Sequence, residues 1–258
     1  MNLRIVFTSV LSIFLLAALL FNPMGASGQK TAPSRHFVKL NLPGIFINNY
    51  SLQYEYALSR KFSLALNARI MPASPIPYQS AFTADAGVDD ASINNTLDML
   101  RISNKAITPE LRFYLSKRGY GRGFYFAPFF RYAQYNTSGL RFEFDDNTAD
   151  TTYWINLDGN LKTQTYGLLL GAQWHLGKHM VLDWWILGPQ FGRSNGSFKG
   201  TTDYIMDAEL QQSLREEMNK VEIPFTEKEV TVTNNSATLD LSGPWAGIRA
   251  GILLGIRF

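Results

Sequence analysis

The feature that most restricts this chain is an alternation of apolar with polar or small residues that recurs in segment after segment. A period of two sorts side chains onto opposite faces of a strand and does not fit a helix. Tyr50, Leu52, Tyr54, Tyr56 and Leu58 alternate with Ser51, Gln53, Glu55, Ala57 and Ser59. Phe62, Leu64, Leu66 and Ile70 alternate with Ser63, Ala65, Asn67 and Arg69. The same beat returns in Glu110–Leu115, in 124–132, in 165–175 and in 246–258. Two less regular segments, 36–48 and 180–193, bring the set to eight strands of roughly 9–14 residues, enough to cross a bilayer when tilted.

After residue 28 no apolar run is long enough for a spanning helix. A chain that crosses a membrane on strands must close its sheet, because lipid offers an open edge no hydrogen-bond partners. The connections support closure. Residues 59–61, 117–123 and 177–179 read as short turns on one side, and 71–104, 137–160 and 194–242 as long loops on the other. Short turns inside and long loops outside is the outer-membrane pattern, with both termini periplasmic. The first external turn, near Asn48-Asn49, is a short exception. Tyr50, Tyr132 and Tyr166 fall on the apolar face near the outer strand ends, and Phe62, Phe124, Trp174 and Phe258 near the inner ends. Two such girdles mark the membrane interfaces. The fold expected is therefore all-β, a closed antiparallel up-and-down transmembrane barrel of about eight strands. Pro43, Pro128 and Pro189 fall inside these strands, where proline removes a ladder donor, so bulges are expected there. Pro43-Gly44 is an alternative first turn.

Residues 1–28 read as a cleaved signal peptide, with Arg4 as n-region, an apolar stretch over 5–21, and Ala26-Ser27-Gly28 before a mature start at Gln29. The other reading of that stretch is an uncleaved anchor. With no cysteine there is neither a lipidated N-terminal Cys nor a disulfide scaffold. The net charge of +3 is too small and too dispersed for nucleic acid. Residues 29–258 fit one domain.

The run Phe37-Val38-Lys39-Leu40-Asn41-Leu42, followed by 50–59 and Phe62-Ser63-Leu64, resembles the opening of an uncharacterised, domain-of-unknown-function family of small outer-membrane barrels, similar in architecture to OmpX and the barrel of OmpA. Phe258, after alternating Ile252, Leu254 and Ile256, resembles the C-terminal signal read by the barrel-assembly machinery. The resemblance implies an architecture and an outer-membrane location but no activity.

Nine ionisable residues share the small or polar face: Lys39, Glu55, Arg69, Glu110, Arg112, Arg131, Asp183, Arg249 and Arg257. A narrow barrel holds side chains rather than a channel, so these must pair. Acids are outnumbered three to six, which suits arginines sharing carboxylates. The alternatives are a gated ion path or a ligand site. Barrel enzymes acting on lipid acyl chains need a histidine as general base. His36, His175 and His179 all fall at the periplasmic end and match no zinc spacing. No enzyme activity, cofactor or metal is expected.

Between Asp203 and Lys220, Met206, Leu210, Leu214 and Met218 recur every four residues, predicting a short helix in the last external loop with Thr202 or Asp203 as N-cap. Recognition is expected from the loops 73–104, 137–160 and 195–242. The partners expected are outer-membrane lipid and lipopolysaccharide, the assembly machinery, and a surface ligand or protein. The function expected is a non-enzymatic, structural or surface-binding outer-membrane protein. The competing classes are a lipid-modifying enzyme and a soluble periplasmic, lipocalin-like carrier, whose apolar face would have to point inward.

Overall fold

The computed structural model describes residues 34–75, 99–116, 119–146, 151–220 and 225–258. The expected signal at 1–28 and the centre of the 73–104 loop lie outside the described residues. Among these residues nine strands and two helices form: β1 (His36–Asn41), α1 (Leu42–Phe46), β2 (Tyr50–Ala57), β3 (Phe62–Ser74), β4 (Arg101–Tyr114), β5 (Gly123–Asp146), β6 (Thr151–Leu176), β7 (Met180–Thr201), α2 (Ala208–Lys220), β8 (Glu227–Val232) and β9 (Ser236–Arg257). All pairings are antiparallel, and neighbours in sequence are neighbours in space through β7. β7 then pairs with β9, and β9 returns to β1, so eight strands close a ring. β8 stands outside it, paired only with the far end of β9.

The first strand is shorter than 36–48, because Pro43 sits in the first turn of α1, where its missing N–H is not needed. Pro189 lies beside a register shift in both ladders of β7, the expected bulge. Pro128 does not behave this way: β5 runs through it in unbroken register against β4 and β6.

The largest departure concerns the long loops. Of the expected loop at 137–160, the first and last parts continue β5 and β6, while 194–242 contains the ends of β7 and β9, the whole of β8, and α2. β5 and β6 have 24 and 26 residues, against the roughly 9–11 that a bilayer crossing needs. These strands rise beyond the ring as an upright sheet, β5-β6-β7-β9-β8. Where head and ring meet, β5 slips register between Thr137 and Leu140. Gly139 takes a φ of 76° there, and Asp158 Oδ1 accepts its N–H at 2.9 Å. The sequence alternates at strand length over 151–160, but Asn156, Asp158 and Asn160 give that stretch the polar content of a loop.

α2 packs on this upright sheet. Leu210, Leu214 and Met218 are buried with Phe142, Phe144, Ile155, Leu157, Val232 and Leu239 in one apolar cluster. Along β6 and β9 these core positions keep the parity of the ring interior (Leu157 with Thr163, Leu239 with Arg249), so the cluster lies on the face that continues the lumen. The helix starts later than either expected cap: Asp207 Oδ1 accepts the N–H of Leu210 at 2.9 Å, while Thr202 bonds the Tyr204 carbonyl. Near this helix the Tyr204 ring meets Tyr153 at 5.1 Å, and burial, with Tyr153 beside it, pushes its phenol pKa up.

Candidate functional site inside the ring

Inward positions of β1, β2, β4, β6, β7 and β9 converge on a column of charge. Lys39 Nζ lies 2.5 Å from Glu55 Oε2, 2.7 Å from Asp183 Oδ2 and 2.7 Å from the Gln173 carbonyl oxygen, so all three ammonium protons are engaged. Arg112 Nη1 reaches Asp183 Oδ2 at 2.7 Å and Glu55 Oε2 at 3.1 Å. Its Nη2 and Nε fork onto Glu110 Oε2 at 3.0 and 3.1 Å. Glu110 Oε1 lies 2.6 Å from Arg249 Nη2. Charge thus alternates along the lumen, with three acids against three bases and no net excess.

Neutral side chains complete the set. Tyr114 and Ser63 donate to Glu55 Oε1 at 2.7 and 2.6 Å, and Tyr125 donates to Asp183 Oδ1 at 2.8 Å. Gln53 donates to Glu110 Oε1 at 3.0 Å and accepts from Arg112 at 2.9 Å. The Tyr125 ring also lies 4.4 Å from the Arg112 guanidinium carbon. Lys39, Glu55, Arg112, Asp183, Gln53 and Gln173 are completely buried. Charges so removed from water survive only with every donor and acceptor met, which is what surrounds them.

Of the nine charged residues marked in the sequence, the fold brings six into this column and leaves three out. Arg257 sits at the short-turn end, its Nη2 donating to the Gly177 carbonyl at 3.1 Å. Arg69 and Arg131 lie towards the other end, and no carboxylate pairs with either among the described residues. The expected sharing of acids therefore stops short: the three carboxylates are consumed by Lys39, Arg112 and Arg249. The tyrosines and glutamines of the column were missed as site residues. Their inward parity was legible, but an uncharged side chain on that face carries no signal that it will reach a carboxylate.

Two glycines make room for this interior. A Cβ on Gly171 would be driven into the ring of Tyr125, and one on Gly167 into Phe129. At the short-turn end Phe37, Ala57 and Val181 form a small apolar floor with Tyr120 packed on it.

The histidines stay apart from the column. His36 Nδ1 is 2.7 Å from the Tyr54 hydroxyl, with its ring stacked on Phe258 at 5.5 Å. His175 Nε2 is 3.0 Å from the Gly121 carbonyl, and His179 lies in the turn between β6 and β7. Among the described residues no group of three or more His, Cys, Asp or Glu could hold a metal, and no helix is long and apolar enough to cross a membrane.

The outer face of the ring is the inverse of its interior. Leu52, Leu64, Leu66, Ile107, Leu111, Phe124, Leu168, Trp184 and Ile252 are all exposed there, and Tyr166 is 70% exposed. A comparison with known families matches residues 12–188 to a family model described as "Protein of unknown function (DUF3575)". No curated protein and no solved structure matches.

Proposed function

We propose that this chain, which belongs to the family described as Protein of unknown function (DUF3575), is an integral outer-membrane β-barrel with a non-enzymatic, structural or surface-binding role. One observation carries the reading: a closed antiparallel ring whose outer surface is a continuous apolar band and whose interior is a buried network of ions. Water-soluble proteins rarely expose apolar patches larger than a few hundred Å². From Tyr166 to Leu176, β6 runs for about 33 Å at ~3.3 Å per residue, or about 25 Å in height at the usual strand tilt. That is the thickness of the apolar band of an outer-membrane barrel.

The same polarity argues against a soluble, lipocalin-like carrier, which needs an apolar lumen and a wet exterior. In the proposed orientation the short turns and Phe258 face the periplasm, and the head with α2 rises on the cell surface. A surface-binding role would then use the head, a folded sheet and helix, in place of loops. Phe258 is the residue we assign to recognition by the assembly machinery. Its position supports this: its carbonyl accepts from His36 N at 3.1 Å at the seam where β9 meets β1, so its docking is coupled to ring closure.

Fractionation tests the reading. The protein should stay with carbonate-washed outer membranes, extract into detergent, and migrate faster on gels unheated than boiled. Recovery of a folded protein from the soluble periplasmic fraction would overturn it.

A further inference from the structure

Above the ion column, towards the head, lies a partly open cavity of about 380 Å³ whose wall, among the described residues, contains three arginines and no Asp or Glu. Arg249 spends its charge on Glu110. Arg69 and Arg131 have no carboxylate partner among the described residues, although Arg131 is only 4% exposed. Unmatched polar atoms collect at the same place, and most are donors: Arg69 Nε, Arg131 Nε, both Arg249 Nη atoms and the indole N–H of Trp185 are buried with no hydrogen-bond partner, as are the side-chain oxygens of Asn41 and Asn49. Trp185 itself is 2% exposed.

Within the ion column every charge is matched, so two guanidiniums with no carboxylate among the described residues break the charge balance of the column just below them. Burying cations without counter-charge is unfavourable, and guanidinium forks fit the geometry of a phosphate or carboxylate. The cavity is within the size range of small-molecule sites and larger than a bare phosphate fills. Trp185, Trp245 and Tyr135 give it aromatic walls beside the cations, and Arg249 already stacks 3.7 Å over the Trp185 ring.

We propose that this chamber is a binding site for a soluble small molecule bearing an oxyanion, a phosphate or carboxylate gripped by Arg69, Arg131 and Arg249 with its body against the aromatic wall. The site depends on the inward parity of β3, β5 and β9 and not on where the ring resides, so it stands or falls separately from the membrane reading.

Inorganic phosphate is the probe. Full-chain protein in uncharged detergent, in chloride buffer free of phosphate, is titrated while tryptophan fluorescence and the melting midpoint are followed. The wild type should show a saturable fluorescence change and a rising midpoint with phosphate, and neither with added chloride at equal ionic strength. Arg69→Gln and Arg131→Gln should each weaken the response about tenfold or more, and the double variant should abolish it. Arg257→Gln, outside the chamber, should respond as wild type. In phosphate-free buffer the double variant should melt no lower than wild type, since it has lost two guanidiniums that have no carboxylate partner among the described residues. A wild type with no saturable response up to about 10 mM phosphate, or a double variant that responds like wild type, overturns the site. So does a response to a phosphate-headed lipid doped into the micelle with none to soluble phosphate, which would place the anion on the outer face.

Discussion

Glu110→Gln tests the ion column at the point where it meets the chamber. The carboxylate is fully buried and serves two arginines: Oε2 lies 3.0 Å from Arg112 Nη2, and Oε1 lies 2.6 Å from Arg249 Nη2. Glutamine keeps the shape but turns one oxygen into an NH₂ group that faces a guanidinium. Arg112 retains Asp183 and Glu55, but Arg249 loses its one acid, and the column passes from charge balance to an excess of one. Removing one partner of a buried pair costs about 3–5 kcal/mol, because the other charge is left without water or counter-ion. An exposed pair would cost at most about 1 kcal/mol. The measurement is the urea dependence of tryptophan fluorescence and of heat-modifiable mobility, in phosphate-free buffer so that no anion rescues Arg249. Pairing Glu110→Gln with Arg249→Leu removes the stranded charge and sets an apolar side chain beside Phe129 and Trp185. The double variant should recover at least about half of the loss, a coupling of roughly 2–3 kcal/mol. If Glu110→Gln costs under about 1 kcal/mol, or the two changes simply add, water reaches the column and the dry, paired interior is wrong.

Because the column is fully buried, neither wild type nor Glu110→Gln should conduct steadily in planar bilayers; stable porin-sized currents would refute a plugged lumen. Gly171→Ala should destabilise by about 1–3 kcal/mol, since the Tyr125 ring it strikes is tethered to Asp183 and cannot retreat; an unchanged urea midpoint would contradict this. Asp207→Ala should loosen α2 by about 0.5–2 kcal/mol, seen as faster amide exchange confined to the head, and uniform exchange rates would show that Asp207 is not the cap. Replacing His36, His175 and His179 together should leave the acyl composition of cellular lipids as in wild type, and a reproducible gain or loss of chains would revive the lipid-enzyme alternative.

The sequence by itself determined which face each strand residue takes. A period of two leaves no freedom once one face must be apolar, so Lys39, Glu55, Glu110, Arg112, Asp183 and Arg249 could be assigned to one side without knowing their partners. It also marked the three short turns and the helix of the last connection, whose every-fourth-residue apolar spacing has one regular solution. What only the tertiary structure decided is pairing. Lys39 and Asp183 lie far apart in the chain, and they meet because β9 joins β1 to β7 and turns both inward at one level. Parity gives no information on level, so nothing local distinguishes Arg112, which holds three acids, from Arg69 and Arg131, which hold none among the described residues. The head was hidden for a related reason. Its strands lie beyond the apolar band and carry polar residues on their outer face, and their core forms only when β8 and α2 return to cover it. A half-covered strand in water reads locally as loop; the distant segment that buries its other face makes it a strand.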